Sequence, residues 1–119
     1  MFWVVLDENV IRRRVGGAAV MGEQLSHVAA LAERRRIGLQ VLPFDVGVPP
    51  VSGMLSLMTF EDAPPVAYSE GTRSGEVMDD PEWVTGLEQS YGYVRAAAFS
   101  PERSLALVQQ VAKECVNGQ

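Results

Sequence analysis

Acidic side chains stand at the ends of apolar runs in this chain. Asp7 and Glu8 follow Phe2-Trp3-Val4-Val5-Leu6, and Glu70 closes Val66-Ala67-Tyr68-Ser69. Two carboxylates brought to one cleft by a sheet can divide acid and base work when their surroundings separate their pKa values. No spacing here requires the three to meet, and acids at strand ends also serve as turn and cap residues. A small hydrolase using Asp7, Glu8 or Glu70 is therefore carried only as an alternative. The same residue types also fit a polar cleft that binds without reacting, built from Glu8, Arg13, Gln24 and Glu70, or a set of groups that simply satisfy backbone and one another. His27 is the only histidine and Cys115 the only cysteine. Any Ser-His-acid or Cys-His arrangement would have to run through His27, and zinc lacks ligands. His27 sits beside the apolar stripe of a helix and is expected to pack at the core boundary. Gly71-Thr72-Arg73-Ser74-Gly75 places its serine one position late for a nucleophile elbow, and no phosphate-binding glycine loop occurs. No catalytic residue, metal or cofactor is expected, and the chain is read as not an enzyme.

Charge is unevenly spread. The chain of 119 residues has a formal net charge of -5. Residues 1–36 hold six arginines, Arg12 to Arg14 and Arg34 to Arg36, against four acids, a balance of +2. Residues 37–119 hold four bases against eleven acids, a balance of -7. Nucleic-acid binding needs cations gathered to neutralise phosphates, so the acidic balance argues against it for the chain as a whole. The arginine triplets are read as solvated charge near helix ends.

The elements that must position these groups are legible from period and punctuation. Residues 2–6 are β-branched and aromatic and read as a buried strand. A helical turn follows at 8–14, broken at Gly16-Gly17. From 18 to about 35, Met21, Leu25, Val28 and Ala32 recur at helical spacing. Residues 37–42 alternate and stop at Pro43, a second strand. Residues 44–52, with Gly47 and Pro49-Pro50, make a loop long enough to carry function and to cover a small-molecule pocket. Strands at 54–60 and 66–70, joined by Glu61-Asp62-Ala63-Pro64-Pro65, suggest an antiparallel hairpin or meander, to which 76–78 adds a short edge strand. Asp80-Pro81-Glu82 and Ser100-Pro101-Glu102 each supply a capping oxygen, a proline at the first helical position and an acid in the first turn, so two helices close the chain. Their buried stripes are Val84, Leu87, Tyr91, Val94 and Ala98 in the first, and Leu105, Val108, Val111, Ala112 and Cys115 in the second. The order implies an α+β domain with a small, mostly antiparallel sheet of three to five strands and three to four helices. One core is expected for residues 1–119, large enough to need no disulfide. No run approaches the roughly 20 apolar residues of a membrane span, and no leader pattern is seen, so a cytoplasmic location is expected.

Several segments follow one another in a familiar register: Phe2-Trp3-Val4-Val5-Leu6-Asp7-Glu8, Ile11 and Arg13, Gly16-Gly17, Met21 with Gln24-Leu25, Val41-Leu42-Pro43-Phe44 with Gly47, Phe60, Tyr68-Ser69-Glu70-Gly71, and Ala98-Phe99-Ser100-Pro101-Glu102 with Ser104. Together they resemble the C-terminal domain of actinobacterial WhiJ-like, antitoxin-like transcriptional regulators, a domain of unknown function. The resemblance implies a regulatory domain that receives a small-molecule effector or a small partner protein of the BldB-like or toxin-like kind. DNA would be bound only by a Cro/repressor-type helix-turn-helix domain that precedes it in relatives and is not in this chain. Carried over by position, the polar family-pattern residues are Glu8, Arg13, Gln24, Tyr68 and Glu70, and Phe44 joins them as a candidate ligand- or partner-binding residue. Two departures, Leu55 where an aromatic is usual and Ser69 for an apolar residue, imply a sheet that is less tightly packed or partly exposed. The apolar strand at the start of the chain is expected to expose an edge and to pair with a second copy or a partner, giving a homodimer. Trp83, Phe99 and Val116 are the expected apolar patch residues.

Overall fold

The computed structural model describes residues 2–46, 54–70 and 75–117, without the side chains of Met54 and Glu70. In chain order the elements are β1 (Phe2–Asp7), α1 (Glu8–Arg12), α2 (Ala18–Glu33), β2 (Ile37–Leu42), a 3-10 turn at Phe44–Val46, β3 (Met54–Met58), β4 (Val66–Glu70), β5 (Gly75–Met78), α3 (Pro81–Ala97) and α4 (Pro101–Val116). The fold is α+β, with two helices at the C-terminal end. The chain divides into two compact units, one formed by residues 1–47 with 97–119 and the other by residues 48–96. The loop expected at 44–52 begins with the 3-10 turn, and its remainder lies outside the described residues.

The first unit is built on a parallel pair. β1 and β2 run side by side in register from Phe2 opposite Ile37 to Asp7 opposite Leu42. Parallel strands cannot be joined by a tight turn and need a crossover connection. Here α1 and α2 supply it. Asp7 ends β1 and caps α1, its carboxylate accepting the Asn9 N–H at 2.9 Å, so one residue closes the strand and opens the helix. Gly16 and Gly17, with φ of 81° and 92°, turn the chain into α2.

α2 presents Met21, Leu25 and Ala29 to a core shared with Ile11, Leu39 and Val41 and with Val108, Val111 and Ala112 of α4. Burying side chains of this kind contributes roughly 1.5–3 kcal/mol each. The contact between α2 and α4 is close because Gly22 has no side chain: a Cβ there would stand 3.1 Å from the Cβ of Cys115. α2 ends in a Schellman turn, with the Arg36 N–H donating to the Leu31 carbonyl at 2.9 Å and the Arg35 N–H to the Ala32 carbonyl at 3.0 Å. Glycine is the usual residue at the left-handed position of this turn. Arg35 occupies it at φ 57°, a conformation that costs an L-residue roughly 1–2 kcal/mol. His27 is exposed on α2, which corrects its expected place at the core boundary: the packed face turns toward Ala29 instead.

The outer edge of β2 is closed by a non-strand segment. The Phe99 N–H donates to the Val41 carbonyl at 2.9 Å, and the Val41 N–H donates to Ser104 Oγ at 2.8 Å. Gln40 Nε2 donates to the Phe99 carbonyl at 3.0 Å, while Gln40 Oε1 accepts the Trp3 indole N–H at 3.0 Å. Ser104 is fully buried and Gln40 nearly so. The Trp3 ring lies over Gly38, where a Cβ would come within 2.1 Å of it; only glycine leaves room for the ring. Ser100 caps α4 by accepting the Arg103 N–H at 3.2 Å, and Pro101 follows at the first helical position.

The second unit contains the antiparallel meander β3-β4-β5. Leu57 faces Ala67 across the first pair, and Ala67 faces Met78 across the second. β3 is shorter than expected, ending at Met58. Asp80 opens α3 by accepting the Glu82 N–H at 3.0 Å. Val84 and Val94 are buried, with Leu87 and Tyr91 half-buried between them. α3 ends at Ala97, one residue before the expected Ala98.

Replacing Ser104 by alanine leaves the Val41 N–H without its acceptor at a buried edge. The expected cost is about 1–3 kcal/mol of stability, read as a lower urea midpoint with an unchanged slope. A loss below about 0.5 kcal/mol, the scale of ordinary surface substitutions, would show that the edge closes without the hydroxyl.

Candidate functional site

The residues singled out from the sequence do not form one cluster. Glu8 and Phe44 meet: Glu8 Oε1 accepts the Phe44 N–H at 3.1 Å, and Glu8 Oε2 pairs with Arg12 Nε at 3.1 Å. Arg12 also reaches Glu114 of α4 at 3.5 Å. Glu8 therefore fastens α1 to the chain leaving β2. Arg13 is exposed at the C-cap of α1, its N–H donating to the Asn9 carbonyl, and Gln24 is exposed on α2. Among the described residues neither bonds to Glu8. Tyr68 and Glu70 belong to β4 in the second unit. Tyr68 is half-buried, its phenol oxygen 2.0 Å from where a Cβ at Gly75 would stand, so the ring lies across β5. The side chain of Glu70 and the Gly71-to-Ser74 segment lie outside the described residues. Asp7 spends its carboxylate on the cap of α1. Among the described residues no group of three His, Cys, Asp or Glu side chains is placed to hold a metal.

A concave site does exist within the second unit. Its wall from the hairpin is Leu57, Met58, Thr59, Pro65 and Val66, at the end where β3 and β4 are joined, and its wall from α3 is Val84, Glu88, Tyr91, Gly92 and Arg95. The cavity measures about 330 Å³, at the small end of the range for ligand sites. Helical spacing explains the second wall: Val84, Glu88, Tyr91 and Arg95 stand at i, i+4, i+7 and i+11 and share one face. The Arg95 guanidinium lies 6.0 Å from the centre of the Tyr91 ring, within reach of cation–π attraction. Burial raises the pKa of the Tyr91 phenol above its ordinary value of 10.0, and the nearby charge of Arg95 opposes that shift. The site thus pairs an apolar floor with one cation, one carboxylate and a phenol that keeps its proton. Sequence reasoning named Val84 and Tyr91 as core and passed over Glu88 and Arg95. The available signal was the pair of opposite charges seven residues apart, flanking an apolar stripe.

Larger hollows lie among the described residues of the first unit. One of about 420 Å³ lies between α2 and α4, where Gln109 donates to Glu33 across it. Another, of about 480 Å³, lies beside the Trp3 ring against Ile37, Leu39 and Leu105. Of the expected patch residues, Trp83 is 62% and Val116 75% exposed. Phe99 is half-buried. It packs against the core, and the Arg103 guanidinium covers its ring at 3.9 Å.

The Tyr91 shift has a measurable sign. The folded chain holds the phenolic proton more tightly than the unfolded chain, so unfolding releases a proton once the pH exceeds 10, and stability falls as pH rises further. The difference in absorbance at 295 nm between the native chain and Tyr91→Phe should titrate with a midpoint above 10, and that alkaline loss of stability should shrink in the variant. A midpoint at or below 10 would contradict the burial of this ring.

No curated protein matches this sequence, and no solved structure matches this chain. The family model described as a domain of unknown function, DUF5753, matches residues 1–110. With nearly its whole length inside that match, the chain belongs to the DUF5753 family.

Proposed function

We propose that the chain is a non-catalytic regulatory domain of a transcriptional regulator, one that binds an effector or a small partner protein and so alters DNA binding by a helix-turn-helix domain outside this chain. The observation that carries the reading is the cavity of the 48–96 unit: a mostly apolar hollow with a few convergent polar groups is how small-molecule sites are built. Asp7 and Glu8, two of the three acids weighed for a hydrolase, accept backbone N–H groups of the first unit, and the side chain of the third, Glu70, lies outside the described residues. A net charge of -5 supports delegating DNA to another domain. Regulation then follows from differential affinity: an effector that favours one state of the full regulator shifts its DNA binding by the same free energy.

The purified chain should leave duplex DNA unshifted at physiological salt, and a screen of small amphipathic molecules and of toxin-like partner proteins should find one that raises its melting temperature. Strong DNA binding by the chain alone, or no ligand and no partner across a broad screen, would overturn the reading.

A second reading, self-association, rests on β1. It is paired with β2 on one side only among the described residues, and Phe2 is 71% exposed. Unpaired apolar edges recruit another strand, and a homodimer joined through β1 would present two regulatory domains to a symmetric operator. Light scattering should then give twice the monomer mass, and a monomer at the highest soluble concentration would exclude it.

A further inference from the structure

We infer that the cavity between α3 and the β3–β4 hairpin selects a small monocarboxylic acid with an apolar body. This rests on the reading of that cavity as a ligand site and names the ligand's class. The hairpin side is mostly apolar, Leu57, Met58, Pro65 and Val66 facing Val84, with Thr59 its one polar side chain. A ligand held there must be largely hydrocarbon or aromatic.

One end of the helical wall carries the polar selection. Arg95 lines this end and brings a guanidinium, whose planar fork of five donors matches a carboxylate. Tyr91 stands one turn before it. Its phenol has an ordinary pKa of 10.0, which burial raises further, and so stays protonated across the physiological range and can donate a hydrogen bond to the same anion. The opposite end is acidic. Glu88 lies seven residues before Arg95, about 10 Å along the axis, on the same face. A second negative charge at the far end of a ligand would meet that carboxylate, and like charges repel. The arrangement accepts one anionic group and refuses two.

Space is set by Gly92, which lines the cavity and where a Cβ would enter open room. A larger side chain at this position fills the hollow while improving the helix, since glycine is among the weakest helix formers. That separates loss of binding from loss of fold.

The test uses three probes that share one body: 3-phenylpropionate, 3-phenylpropionamide and phenylsuccinate. Binding is read from methyl NMR shifts of Leu57, Val66 and Val84, with Val108 of the first unit as the control. The monocarboxylate should bind roughly tenfold more tightly than the amide, the scale of one charge-assisted hydrogen bond, and also more tightly than the dianion. Arg95→Gln should erase the preference for acid over amide while leaving amide binding in place. Glu88→Gln should relax the discrimination against phenylsuccinate. Gly92→Leu should abolish binding of all three with the Val108 signal unchanged. Equal affinity for acid and amide would overturn the ligand class and leave the cavity as a binding site. No shift at Leu57, Val66 and Val84 with any probe would overturn both.

Discussion

The first unit depends on how the outer edge of β2 is satisfied. A two-stranded parallel sheet has two open edges, and the buried one must bond to something. The chain meets this demand with a single turn of non-strand backbone. Phe99 donates to the Val41 carbonyl, Ser104 accepts the Val41 N–H, and Gln40 reaches both the Phe99 carbonyl and the Trp3 indole. One cluster of hydrogen bonds thereby fixes the register of β2, the entry of α4 and the pose of Trp3. Polar groups buried this deeply are tolerated only when each is paired, and every residue in the seam depends on the others.

The helices follow from that seam. Once the segment before α4 is held against β2, α4 lies beside α2, and Gly22 lets the two approach closely at Cys115. The ion pairs of Arg12 with Glu8 and Glu114 lie at the border of this packing, where each contributes little in water. Their value is positional: they tie α1 to α4 and to the turn at Phe44. Among the described residues one non-glycine position is left-handed: the exposed Arg35, whose backbone completes the Schellman turn without the usual glycine.

The second unit is built by another logic. Three short antiparallel strands and one helix bury a small core around Ala67, Val84 and Val94, and the remaining apolar surface lines a cavity or faces solvent. Leu55 and Ser69, the two departures from the family pattern, are half-buried. Hollows occur in both units, between α2 and α4 and beside Trp3 in the first and between α3 and the hairpin in the second.

Local signals alone determined much of this protein. The caps at Asp80 and Ser100, the prolines after them, the apolar stripes of α2 and α4 and the hairpin punctuation at Pro64-Pro65 each act within a few residues, so they are readable without the fold. Tertiary structure decided the rest. The pairing of β1 with β2 is parallel and spans more than thirty residues of chain, and a strand's own pattern does not name its partner. Gln40 and Ser104 read as ordinary polar residues because their partners lie 59 and 63 residues away. His27 fell on the solvent side of its helix because the packed face is set by α4, not by the average of the apolar stripe. Glu8, a candidate for chemistry by type, became a fastener when the fold brought the Phe44 N–H to it. Glu88 and Arg95, unremarkable as helix charges, became the two ends of a cavity only when the hairpin was placed across from them.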